Sequence, residues 1–193
     1  MIDAYLNLLI FIILMVGTPG PANLLVMIGG ARHGVGKCSG FIFGLIGGKL
    51  VLNIGCGIGL GLFLTGQPLL LQILKFASAG YMIWLAVQSW NSVGGGDADR
   101  HQFHFRQGVI VHPLNPKAWV MVLLAWTQFA PELGDGMIQL LLVPVTFAAV
   151  QLVCHTAWCA AGAFMQRAIP RQQLLTRALI LLTIGVVVWV LLQ

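Results

Sequence analysis

The sequence predicts an all-α integral membrane protein. Six transmembrane helices are expected, arranged as two inverted-topology repeats of three helices, with helices 1 and 4 broken at proline motifs. Three observations carry this. The 193 residues are 59% hydrophobic and 8% charged, with mean hydropathy +0.93. A soluble domain carries about 25% charge, so this chain lacks the polar groups to solvate a surface in water. The apolar residues fall into six runs, each near the roughly 20 residues a helix needs to cross a hydrocarbon core. Proline-bearing interruptions fall inside the first and fourth runs.

Span one covers residues 4–30 and is interrupted by GTPGPAN, Gly17 to Asn23. Asp3 stands where a secretory signal would carry Lys or Arg, and no small-residue cleavage site follows, so this run is expected to be retained as a span. The polar stretch ARHGVGK separates it from span two, 39–64. Gly40, Gly44 and Gly48, then Gly57 and Gly61, recur at a spacing of four, which puts each set on one helix face where another backbone can approach. Packing within the chain is the first use expected of that face, and a homodimer seam is the alternative. TGQP leads into span three, 68–90. A linker, 91–107, carries GGGDADRHQFHF and leads to span four, 108–130, interrupted at HPLNPK. Span five, 137–166, and span six, 173–192, complete a single transmembrane domain, with repeat one at 1–92 and repeat two at 105–193.

Basic residues set the expected orientation. They occur in loops one (Arg32, Lys37), three (Arg100, Arg106) and five (Arg167, Arg171, with Arg177 just beyond), while loops two and four and both termini have none. Odd loops are therefore expected in the cytoplasm and both termini on the periplasmic side. Lys75, near the outer end of span three, is the exception and is read as snorkelling to the interface. Scattered over short loops, the net charge of +5 forms no basic stripe, and nucleic-acid binding is excluded.

Three spans per half means that the halves insert with opposite orientation. GPANLLVMIG from Gly20 aligns with NPKAWVMVLL from Asn115, proline on proline (Pro21 with Pro116), and GYMIWLAVQ from Gly80 aligns with GVVVWVLLQ from Gly185. Within lipid a helix break is tolerated only where protein or a water-lined cavity satisfies the freed backbone groups. Paired Pro/Gly interruptions in two inverted halves are the sequence pointer to a transporter's binding site. Pro19, Gly20, Pro21, Asn23, Asn115, Pro116 and Lys117 are therefore the candidate substrate-binding residues.

Lysine at the bilayer centre costs about 2.5–3.5 kcal/mol even on the gentlest scale, yet Lys49 and Lys117 both fall inside spans. The five acidic residues all fall in loops or at the N-terminus, so neither lysine has an acidic partner in the membrane. Deprotonation, rest against helix C-terminal carbonyls and an awaited anion are the three ways to accommodate them, and Lys117, beside the second break, is the preferred partner of a substrate carboxylate. Gln151 and His155 share a face of span five at i,i+4, and His112 immediately precedes the second break. With Lys49 they are candidates for pocket lining or a proton pathway.

No cofactor or metal is called for. His101 and His104 in the linker have no metal-specific spacing. The chain has no GxSxG, HExxH or GxxxxGK[ST], which excludes an ATP-driven pump encoded here and argues against an enzyme. Cys38, Cys56, Cys154 and Cys159 form no CxxC and are read as small packing residues. A membrane thiol–disulfide carrier is the rival, disfavoured because Cys38 is placed near a membrane face and Cys154 and Cys159 deep in span five. A passive small-solute channel is the third reading.

TPGPAN (Thr18, Pro19, Gly20, Pro21, Asn23), Gly44 and Gly48 in span two, and LNPKAW (Asn115, Pro116, Lys117, Ala118) resemble the motifs of the LysE/RhtB amino-acid exporters, and the resemblance covers essentially the whole chain. Linker residues GGGDADRHQFHF match no signature of that family. The resemblance implies export of an amino acid or close derivative across the bacterial inner membrane, driven by a proton or ion gradient. Buried lysines without buried carboxylates disfavour a cationic side chain, so a neutral substrate is expected.

Overall fold

The computed structural model describes residues 1–59, 66–91, 103–168 and 172–192. Among them all regular structure is helical: α1 (Ile2–Gly17), α2 (Pro21–Gly57), α3 (Pro68–Asn91), α4 (Phe105–Val111), α5 (Pro116–Leu124), α6 (Gly136–Ala168) and α7 (Gln172–Leu192). After α5 the chain continues through a wider π-helical turn, Ala125–Phe129, and a 3₁₀ turn, Ala130–Leu133.

α1 shows what the apolar solvent does to a helix. Only Ala4, Leu8, Ile12 and Val16 are buried, one stripe at a spacing of four, while Ile10 and Leu14 are 55% and 62% exposed. A helix apolar all round with one inward stripe suits lipid on its other faces. α6 and the bent pair α4–α5, whose axes differ by 63°, are long and apolar enough to cross a membrane, as is α2 by length and composition.

The sequence expected a polar loop at 31–37 between spans one and two. Instead the chain is helical on both sides of Gly34, the one residue of α2 with non-helical angles (φ 76°, ψ 169°). That positive φ is open to glycine and strained for other residues. The chain reverses there: Cys38 Sγ lies 4.0 Å from Val26 O, whereas twelve residues of straight helix would separate them by about 18 Å. α2 is thus a hairpin of two arms, 21–33 and 35–57, the first being the second half of span one. The second arm ends at Gly57, short of the expected 64, and the residues from 60 to 65 lie outside the described ones.

The arms of α2 occupy the centre, packed most extensively against α6 and then α4; α3 and α7 pack on each other at one side. Gly44 and Gly48 meet the backbone of Phe105 and Val109 in α4, and Gly30 and Gly162 make the corresponding close approaches between α2 and α6. Gly44 and Gly48 are therefore spent on packing inside the chain. Gly61, most of the linker 91–107, His101 and the side chain of Lys75 lie outside the described residues. His104 sits at the start of α4, its backbone N–H donating to Gln107 Oε1 at 3.0 Å.

Candidate functional site

Both proline motifs start helices. Pro21 and Pro116 occupy the first helical positions of α2 and α5, after the extended residues Gly20 and Asn115. A proline there sacrifices no helical hydrogen bond and has its φ preset, so the prolines begin the second half of each broken helix rather than snapping it. The second break also lies earlier than its expected mid-span position, after the seven residues of α4.

The first break leaves the carbonyls of residues 16–19 without helical donors, and each is satisfied by a side chain. Asn23 Nδ2 donates to Val16 O at 2.8 Å and Thr18 O at 2.9 Å. Trp158 Nε1 donates to Gly17 O at 3.2 Å. Lys117 Nζ reaches from the second break to Thr18 Oγ1 at 2.8 Å, Thr18 O at 3.2 Å and Pro19 O at 3.4 Å. An ammonium has three donors, so these contacts occupy Lys117 completely, and a cation beside the last carbonyls of α1 also suits that end of the helix dipole. At the second break Asn115 Oδ1 accepts from the Lys117 backbone N–H at 3.1 Å, and Trp119 Nε1 donates to Pro113 O at 2.7 Å.

The two breaks thus touch, and a small cavity lies beside their junction. Its lining is Met15, Val16, Gly20, Ala22, Asn23, His112, Asn115, Lys117, Met121, Gln151 and His155. About 20 Å³ is open to the centre of a water-sized sphere, room for about one water, so an amino acid would require the breaks to part. Among the described residues no Asp or Glu lines it. No side chain caps the start of α2 beside it, because Gly20 has none to offer.

Three cavity residues carry polar atoms with no protein partner: His112 Nδ1, Gln151 Oε1 and His155 Nε2. All three side chains are buried (exposure 2%, 1% and 2%). Their other polar atoms are engaged. His155 Nδ1 lies 2.9 Å from Asn23 Oδ1, Gln151 Nε2 lies 2.8 Å from His112 Nε2, and the imidazole rings stack at 5.8 Å.

Of the candidates, Gly20, Asn23, Asn115, Lys117, His112, Gln151 and His155 line this cavity, while Pro19, Pro21 and Pro116 shape the breaks around it. Lys49 is not among the lining residues; fully buried in α2, its Nζ donates to Ala118 O, next in sequence to Lys117, at 3.2 Å and stands 4.8 Å from the Phe147 ring centroid. Sequence reading missed Trp158 and Trp119, whose indole N–H groups satisfy the breaks; nothing in their spacing marks them. It also placed Cys38 far from Cys159, whereas the hairpin at Gly34 brings both into one buried apolar cluster.

The family model for LysE type translocators matches residues 12–191, including both breaks and the three cavity residues with spare polar atoms. The chain belongs to this family. It is a membrane-embedded translocator by that membership and by its apolar helices. Among its relatives, a homoserine/homoserine lactone efflux protein of Salmonella typhi is 28% identical over 73% of this chain and 71% of its own. A leucine efflux protein of Enterobacter sp. (strain 638) is 26% identical over 81% and 77%. A cysteine/O-acetylserine efflux protein of Escherichia coli O157:H7 is 25% identical over 78% and 77%. No solved structure matches the chain.

Proposed function

We propose that this chain is a secondary active exporter of amino acids or close derivatives with neutral side chains, working by alternating access across the bacterial inner membrane. The single observation that carries the reading is the junction of the two breaks: Lys117 of one repeat holds Thr18 and Pro19 of the other beside a polar cavity. Each of the three relatives carries in its name the export of a neutral amino acid or derivative. Among the described residues the cavity has no carboxylate to pair with a cationic side chain.

In this reading the inverted repeats are residues 1–92 and 105–193. The matching helix starts at Gly20–Pro21 and Asn115–Pro116 and the pairing of α3 with α7 support it. Odd loops face the cytoplasm and both termini the periplasm. Lys117 is a latch rather than a fixed carboxylate receptor. It closes the junction in this conformation and must release Thr18 and Pro19 when one repeat rocks against the other, driven by a proton or ion gradient.

Everted vesicles test this directly. Vesicles carrying the chain are expected to accumulate a radiolabelled neutral amino acid against its gradient and to lose that accumulation with an uncoupler. Lys117→Met, which keeps the stem and removes the three donors, is expected to abolish accumulation while leaving membrane insertion intact. Accumulation of lysine above every neutral amino acid would refute the substrate class, and equilibration without accumulation would leave a passive channel.

A further inference from the structure

We infer that the free α-amino group is the obligatory recognition element of the substrate, and that it is bound by His155 Nε2 together with the His112–Gln151 pair. This rests on the export reading above and assigns the polarity of its site. The assignment follows from which atoms can donate. Asn23 Nδ2 faces two carbonyl oxygens, which only accept, so the amide orientation of Asn23 is fixed. Its Oδ1 is then the atom turned to His155 Nδ1, and a carbonyl oxygen cannot donate, so His155 Nδ1 carries the proton. In the neutral imidazole the remaining atom of that ring, Nε2, is an acceptor, and it has no partner among the described residues.

The second pair gives the same answer by a different route. Gln151 Nε2 and His112 Nε2 are 2.8 Å apart. With the amide as placed, it donates, leaving His112 Nδ1–H as a free donor and Gln151 Oε1 as a free acceptor. With the amide turned over, the two roles exchange. Either way the pair offers one acceptor atom without a partner and, because an amide nitrogen carries two hydrogens, more than one N–H donor. His155 and the pair therefore present two acceptor atoms without partners, both on buried side chains, with the N–H donors of the pair beside them, and in this closed junction Lys117 is occupied at Thr18 and Pro19.

A carboxylate set against His155 Nε2 would meet lone pair with lone pair. An ammonium brings three donors and meets two acceptors there. The substrate's carboxylate falls on the other side, where the N–H donors of the pair and the uncapped start of α2 at Gly20 and Ala22 line the same cavity. Among the described residues no carboxylate lines the cavity to receive a second ammonium. The class selected is a zwitterion with one free amino group and an uncharged side chain; hydroxy acids, des-amino acids and N-acyl amino acids are rejected.

The test is binding by the full chain in lipid nanodiscs, with radiolabelled L-leucine, L-homoserine and L-cysteine as probes. For whichever probe binds saturably, its des-amino acid and its N-acetyl derivative are expected to compete at least ~10-fold more weakly, the loss of one or two hydrogen bonds to a charged group. His155→Gln retains an N–H for Asn23 and an acceptor for the amine, and is expected to preserve that discrimination. His155→Leu is expected to reduce it. A des-amino acid competing as well as its parent overturns the inference and leaves the export reading standing. Saturable binding of none of the three probes, with no resistance conferred on cells challenged with each amino acid, overturns the export reading and the inference with it.

Discussion

Asn23→Ala is the sharpest perturbation of the junction. In the native protein one amide closes three gaps: it donates to Val16 O and Thr18 O and accepts from His155 Nδ1. Thr18 O keeps Lys117 Nζ at 3.2 Å after the substitution. Val16 O and the His155 N–H lose their partners, and their surroundings are buried. Each orphaned buried group costs about 1–3 kcal/mol, which gives about 2–6 kcal/mol for the pair. Hydrogen bonds within membrane proteins average nearer 0.6 kcal/mol, which favours the lower end. A loss of about 2 kcal/mol lowers the melting temperature of a chain this size by about 4–8 °C. The assay is thermal unfolding of the purified protein in detergent, with transport measured on the same preparation. Asn23→Asp separates the two sides of the amide, because it can still accept from His155 but cannot donate to Val16 O. It is expected to lose stability as well. An Asn23→Ala protein melting within about 1 °C of the native one and exporting normally would refute the view that Asn23 holds the first break together.

Three further outcomes are expected. Gly44→Ala and Gly48→Ala should sharply reduce the yield of folded protein, since a Cβ at either would strike the backbone of Phe105 or Val109, and a carbonyl in a packed helix cannot step aside. Gly80→Ala and Gly185→Ala meet open space and should leave folding unchanged or improve it by up to about 1 kcal/mol, read by the same melting assay. The double change Cys38→Ala, Cys159→Ala should leave export intact, because both thiols are fully buried among packing residues; loss of transport with a normal melting temperature would favour the thiol–disulfide carrier.

The sequence reveals the membrane class and both breaks because each rests on a local signal. Hydropathy summed over a run reports the solvent, and Pro-Gly or Asn-Pro marks a chain that stops being helical. What it could not reveal is rotation. A helix apolar on every face carries no moment to say which side looks inward, and most residues of the first arm of α2 are buried. Asn23 and His155 were therefore legible as candidates, but their contact across 132 residues was not. For Lys117 the sequence left helix C-terminal carbonyls and a substrate anion both open and favoured the anion; its partners are carbonyls 98 and 99 residues away, at the end of α1. Gly34 was the subtler miss. Polar residues from Arg32 to Lys37 looked like a loop, yet the reversal needs one residue of positive φ, and helix resumes at once on either side.

The way the first break is satisfied constrains how the protein can move. The end of α1 is held by side chains from three different elements: Asn23 of α2, Lys117 of α5 and Trp158 of α6. Moving that end away from α2, α5 or α6 strips donors from its carbonyls, and inside lipid nothing replaces them. The junction therefore opens only where water or a ligand reaches it, supplying new donors as the old ones let go. A substrate ammonium accepted by His155 sits one hydrogen-bonded residue away from the Asn23 amide that holds Val16 O and Thr18 O. Occupancy at His155 and the hold on α1 are thus mechanically linked through a single side chain, and a carrier built this way rocks far more readily loaded than empty. The measurable consequence is counterflow: exchange of labelled for unlabelled substrate across vesicle membranes should outpace net efflux from the same vesicles. Asn23→Ala should erase that difference by severing the link, even where the protein still folds.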